Sequence, residues 1–150
     1  MPKLLTVLIL AAAIQQGAAP STPGKFVDGK ALKAAADKAL TDRGTGMGSA
    51  NVVTGDHYGI NLVKRDKVAG AISHPAGTEV HYIVEGGGTA VTGGHIVRPA
   101  GGGQATIEGG ESRHVTVGDI VFIPAGTPHW YSQIDGSITY LETRFEVAGK

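Results

Sequence analysis

Six histidines stand out as reactive groups in this 150-residue chain, because it contains no Cys to compete with them. Disulfide frameworks, thiolate metal sites and a Cys nucleophile are excluded, so any metal must be held by imidazole, carboxylate or amide groups. Two short segments hold the candidates. In the first, VAGAISHPAGTEVHYIVEGGG from Val68 to Gly88, His74 closes one strand, Pro75-Ala76-Gly77-Thr78 turns the chain, and Glu79 opens the next strand. A period of two places Glu79, His81 and Ile83 on one face and Val80, Tyr82 and Val84 on the other. A hairpin then brings His74 and Glu79 together, with His81 pointing the same way. In the second segment, GDIVFIPAGTPHWYSQ from Gly118 to Gln133, a strand ends at Pro124 and a Pro-Ala-Gly-Thr-Pro turn reverses the chain. His129, Tyr131 and Gln133 share one face of the returning strand. There the Tyr131 phenol is suited to acid or base work and the Gln133 amide to orienting a substrate or water. Trp130 is expected to face away, toward a sheet interface. His57 and His114 read as surface residues, and His95 as a possible contact from a Gly-rich excursion over the barrel mouth, Gly86 to Gly110.

The elements that position these groups are mostly strands. Tyr58, Ile60 and Leu62 alternate with polar neighbours, Val80 to Glu85 and Val115 to Val121 are rich in β-branched residues, and turns such as Asp135-Gly136 separate the runs. The 24 Gly lack a collagen-like period and punctuate short strands, which predicts a sandwich or barrel with a shared interior. One helix precedes it. Asp28 is placed to cap a helix from about Gly29 to Arg43, with Leu32, Ala35, Ala36, Ala39 and Leu40 at helical spacing and Gly44 as the stop. Its mostly Ala stripe allows it to lie close against a sheet. Upstream, Met1-Pro2-Lys3, the apolar run Leu4 to Ile14 and the small residues Gly17 to Ala19 resemble a secretory signal peptide. The expected organisation is therefore a signal peptide at 1–19, a linker and amphipathic helix at 20–48, and a β-domain at 49–147. Secretion or periplasmic export follows, with no stable membrane anchor because the apolar run is short. With 13 basic and 13 acidic side chains there is no basic field to hold a phosphate backbone, so nucleic acid is not an expected partner.

The two segments resemble the paired motifs of the cupin superfamily, small jelly-roll (double-stranded β-helix) barrels. His74, Glu79 and Gly86 stand where the first motif has its second His, its Glu and its closing Gly. Gly118, Pro124, Gly126 and His129 match the second motif, and Gln133 stands where Asn is usual. The resemblance spans roughly Val52 to Phe145, and it departs from the family at one position of consequence. Ile72 occupies the place of the first metal His. Carried over by residue, the resemblance implies a metal set of His74, Glu79 and His129, the two-His-one-carboxylate type that holds Fe(II) with open positions. His81 is able to supply the missing imidazole, and the set also suits Mn, Zn, Ni or Cu. The implied function is a metal-dependent enzyme of oxygenase, lyase or isomerase type acting on a small organic molecule. Glu79 or Tyr131 would move protons, in a pocket lined by Ile72, Ile83, Tyr131 and Gln133. A non-catalytic small-molecule-binding module is the alternative. Barrel edge strands and the Ala-striped helix also make a homodimer an expectation.

Overall fold

In the structure, a computed structural model that describes residues 22–146, the first element is a helix with both ends set by the sequence. The segment read as a signal peptide lies outside the described residues. Helix α1 runs Gly29–Arg43. The Asp28 side chain accepts a hydrogen bond from the Ala31 amide at 2.8 Å, satisfying one of the free N–H groups of the first turn. Gly44 ends the helix in the left-handed region, φ 60°. The helix lies on the outer face of the sheet, where Ala36 packs with Ala50 and Leu62 and is flanked by Leu32, Val84 and Leu141. Contact is close because Gly48 has no side chain: a Cβ there would collide with the Ala36 carbonyl and the Leu40 amide. Ion pairs Lys33–Glu85 and Lys64–Asp37 fasten the rim of this contact. The helix is a packing element, and none of its residues lines the cavity described below.

Eight strands follow: β1 Met47–Thr54, β2 Tyr58–Arg65, β3 Thr78–Thr92, β4 His95–Val97, β5 Thr106–Glu108, β6 Glu111–Val115, β7 Ile120–Ile123 and β8 His129–Phe145. The principal sheet is antiparallel in the order β1-β2-β8-β3, with β6 and β7 both on the far edge of β3. β4 and β5 form a separate ribbon. Val63 on β2 and Val115 on β6 belong to one buried cluster with Ile83, Ala90, Tyr131, Ile138 and Tyr140. Since β8 and β3 separate β2 from β6 in the sheet, a shared cluster requires the sheet to curl until its inner faces meet. Each fully buried Ile in that cluster contributes about 1.5–3 kcal/mol.

Three details depart from the expectation. Gly86, Gly87 and Gly88 are not loose excursion residues but lie within β3, where the long β3–β8 ribbon changes register. A side chain at Gly86 would run into the Ser137 carbonyl, and one at Gly88 into the Gln133 carbonyl. Gly86 also has φ 66°, so only a residue without a Cβ lets the two strands bend together here. The segment carrying His74 is not a strand: between β2 and β3 the chain makes one isolated bridge, Ile72 to His129. Finally, β7 and β8 do not form a hairpin; β7 pairs with β3, and β8 pairs with β2 and with the opposite edge of β3.

Replacing Gly86 with Ala is expected to destabilise the protein by at least about 2 kcal/mol, from strain at positive φ and overpacking. Replacing Asp28 with Ala should cost about 1 kcal/mol. Urea denaturation of both variants checks the order; a Gly86→Ala protein as stable as Asp28→Ala would contradict the bend assignment.

Candidate metal centre

Glu79 and His81 stand two residues apart near the start of β3, so both side chains enter the interior, and they are 2% and 3% exposed. β8 contributes His129 at its first residue and Arg144 near its last, the latter directly opposite Glu79 in register. His74 comes from the irregular connection, held by the Ile72–His129 bridge on one side and by the Gly126 amide, which donates to the His74 carbonyl at 2.6 Å. Side chains directly opposite in an antiparallel bridge share a face, so Ile72 projects on the same side as His129 and lines the cavity.

All three imidazoles turn Nε2 toward Glu79. His74 Nε2 lies 3.3 Å from Oε1, and His81 and His129 Nε2 lie 3.2 and 3.4 Å from Oε2. Arg144 donates to Oε1 through Nε at 2.9 Å and through a second guanidinium nitrogen. Burial alone would push the Glu79 carboxyl up; hydrogen bonds from His81 and Arg144, the Arg144 charge and, in the acid range where it is protonated, that of His129 outweigh it and hold the group at about 2. Glu79 is therefore an anion at neutral pH and a weak proton acceptor. For His129 burial dominates and lowers its pKa below 6.5, despite the Thr127 carbonyl bond and the nearby Glu79 charge.

The tautomer of His129 follows from its second nitrogen. Nδ1 lies 3.0 Å from the Thr127 carbonyl, which only accepts, so Nδ1 carries a proton; burial favours the neutral ring, and in that form Nε2 presents a lone pair. That lone pair faces a Glu79 carboxylate oxygen, two acceptors with no hydrogen between them. A cation placed between them resolves the clash, and the donor set fits one. Ligand atoms of His74, Glu79 and His129 lie within 4.8 Å of one another, and a second such group joins Glu79, His81 and Glu142. His81 thus reaches Glu79 but groups with Glu142, not with the other two imidazoles.

The remaining expected site residues divide. Tyr131 is buried, with its hydroxyl 3.1 Å from His81 Nδ1, and burial pushes its phenol far up, so it holds its proton instead of acting as a base. Ile83 lies in the closed core and does not line the cavity. Gln133 is exposed, donating to Asp135 at 3.0 Å. A register shift opposite Thr89 and Ala90 inserts one extra residue between Tyr131 and Gln133, which reverses their alternation and turns Ile134 inward instead. Trp130 does line the cavity, its indole N–H donating to the Ala69 carbonyl at 2.6 Å, because the connection before β3 covers that side of β8. His57, His95 and His114 are exposed beside Glu146, Glu108 and Asp135, and none lines the cavity.

The cavity measures about 40 Å³ and also takes in Arg65, Tyr140 and Glu142, which lie outside both motifs. A signal for Tyr140 and Glu142 was present in the sequence: Ile138, Tyr140, Glu142 and Arg144 alternate along one strand face.

No family model matches the sequence, and no curated protein matches it. Solved structures do. A cupin superfamily protein from Desulfitobacterium hafniense aligns over 69% of this chain and 80% of its own, with TM-score 0.50 and 13% identity. The chain has the cupin fold. Two other cupin-fold neighbours are the DMSP lyase from Ruegeria pomeroyi (73% of this chain, TM-score 0.54, 18% identity) and the Fe(II) form of HppE (67%, TM-score 0.54, 16% identity). This cupin-fold chain spans about half the length of those two, 51% of each. At these identities the likeness is one of fold.

Because the Glu79 carboxyl is held at about 2, below its ordinary 4.5, its ionisation stabilises the folded state above pH 4.5, and this contribution is lost as pH falls toward 2. In metal-free protein the stability of Glu79→Gln should vary less between pH 5 and pH 2 than that of the wild type. Parallel curves from acid denaturation would refute the assignment.

Proposed function

We propose that this chain is a metal-dependent cupin enzyme acting on a small organic molecule inside the barrel. The observation that supports this most directly is the His129 Nε2 lone pair set against the ionised Glu79 carboxylate at 3.4 Å, an arrangement that calls for a cation. His74, Glu79 and His129 would hold it, with His81 as the adjoining fourth group. A divalent transition metal bound there would supply Lewis-acid chemistry, or oxygen chemistry if it is iron.

The chain's own residues then take distinct roles. Arg144 fixes the orientation of Glu79 and balances its charge. Tyr131 supports His81: with His81 Nε2 donating to Glu79, its Nδ1 accepts from the Tyr131 hydroxyl. Glu142 pairs with no Lys or Arg among the described residues, lies 4.0 Å from His81 Nε2 and lines the cavity; we assign the proton-moving role to it in place of Tyr131. Ile72 and Trp130 give the cavity apolar wall. Lyase, oxygenase and isomerase chemistry all fit this assembly, and the fold does not choose among them. Export through the segment at 1–19 remains part of the proposal.

One observation favours a second reading. Arg144 already gives Glu79 a positive partner, so a non-catalytic barrel that binds its ligand without metal is also physically consistent. Elemental analysis of untagged protein separates the two. The metal reading expects about one equivalent of transition metal, lost in the His74→Ala, His129→Ala double variant; unchanged metal content in that variant would disprove the ligand set. Ile72→His adds an imidazole on the His129 side of the cavity and is expected to tighten binding about tenfold or more. Competition with a chelator measures that change.

A further inference from the structure

The cavity contains a cation that the metal centre does not use. Three basic residues among those described are half-buried: Lys64, Arg65 and Arg144. Lys64 pairs with Asp37 at 2.5 Å, and Arg144 pairs with Glu79. Arg65, at the last residue of β2, has no carboxylate within ion-pairing distance among the described residues. Its one side-chain bond is from Nε to the hydroxyl of Tyr140 at 3.0 Å. Tyr140 is 1% exposed and stacks on His81, with ring centroids 4.4 Å apart. The guanidinium is therefore anchored through Nε to the core beside the histidine cluster, while its terminal nitrogens have no protein acceptor.

A partly desolvated guanidinium without a counter-charge is unfavourable, and an incoming anion relieves it. The planar fork suits the two oxygens of a carboxylate, each bond being charge-assisted. Charge also limits what is accepted. Glu142 lines the same cavity, so a ligand with concentrated double charge meets repulsion that a spread carboxylate charge avoids. The cavity, about 40 Å³, is small and favours a compact ligand. A smaller cavity, lined by Val91, Val121 and Ile123 and sharing His81 and His129 with the first, has no Arg or Lys in its lining, so anion selection falls to the Arg65 end.

We propose that Arg65, oriented by Tyr140, is the anion anchor of the cavity and that the ligand is a small organic carboxylate. This rests on the reading of the cavity as a ligand site, but not on a metal being present.

Trp130, the only Trp of the chain, lines the cavity and reports occupancy by its emission. Full-length protein, as purified and after chelator treatment, is titrated with malonate, with its neutral analogue malonamide, and with inorganic phosphate, and calorimetry provides a second readout. Malonate is expected to bind both preparations, malonamide weakly or not at all, and phosphate more weakly than malonate. Arg65→Gln should weaken malonate about tenfold or more, as expected for lost charge-assisted bonds, with metal content unchanged. Arg65→Lys retains the charge and guards against a folding defect; it should bind malonate several-fold more weakly and still reject malonamide. Equal binding of malonate and malonamide, or malonate affinity indifferent to both Arg65 variants, would overturn the proposal, and tighter phosphate than malonate would overturn the carboxylate assignment. Metal content separates this inference from the metal reading. Metal-free protein that binds malonate through Arg65 upholds the anchor alone, whereas metal-loaded protein indifferent to Arg65 upholds the metal alone.

Discussion

A carboxylate ionised in the interior of a small barrel must be surrounded by donors and positive charge, and the architecture around Glu79 meets that requirement. Its neighbours come from three parts of the chain: His81 from its own strand, His74 from the connection before it, and His129 and Arg144 from opposite ends of β8. His129 and Arg144 are separated by about 50 Å of extended chain. Both nevertheless touch one side chain, so β8 and its partner β3 have to wrap around the interior. The Gly86–Gly88 bend, where neighbouring carbonyls leave no room for side chains, is what permits the wrap.

The electrostatics divide the interior into tasks. Glu79 is pinned as an anion by Arg144 and His81, which makes it a ligand or a charge anchor and a poor proton carrier. Tyr131 and Tyr140 lie under the histidines with their phenols pushed up by burial, so both remain neutral and act through hydrogen bonds. Glu142 and Arg65 are the charged groups that line the cavity without a close ionic partner. Ligation, support and ligand contact thus fall on different residues, although all lie within one small volume.

Much of this was legible in the sequence, for reasons of local physics. The helix caps at Asp28 and Gly44 act within a turn or two, and the alternation of Glu79, His81 and Ile83 holds because β3 is regular over that stretch. Alternation failed for Gln133 because a bulge adds a residue, and no residue type in Tyr131-Ser132-Gln133 announces it. Ile83 faces inward as expected but meets core instead of cavity, a distinction set by what lies across the barrel. Arg65 and Glu142 lie outside the motif spacing, and their place in the cavity beside Tyr140 and His81 depends on β2, β3 and β8 pairing in one register.

His74 differs from the other groups around Glu79 in what carries it. Glu79, His81, His129 and Arg144 stand on long paired strands, whereas His74 belongs to an irregular connection. That connection is tied down by the Ile72 bridge, the Ala71–Ala105 and His74–Gly126 backbone bonds, and side-chain bonds from Gln104 and Trp130. Such tethers break and reform at lower cost than a strand in mid-sheet. The affinity of the centre for any ion or molecule that engages His74 is therefore linked to the stability of those tethers. Substitutions at Ala105 or Gln104, neither of which lines the cavity, alter that stability and thereby reach the centre from outside it.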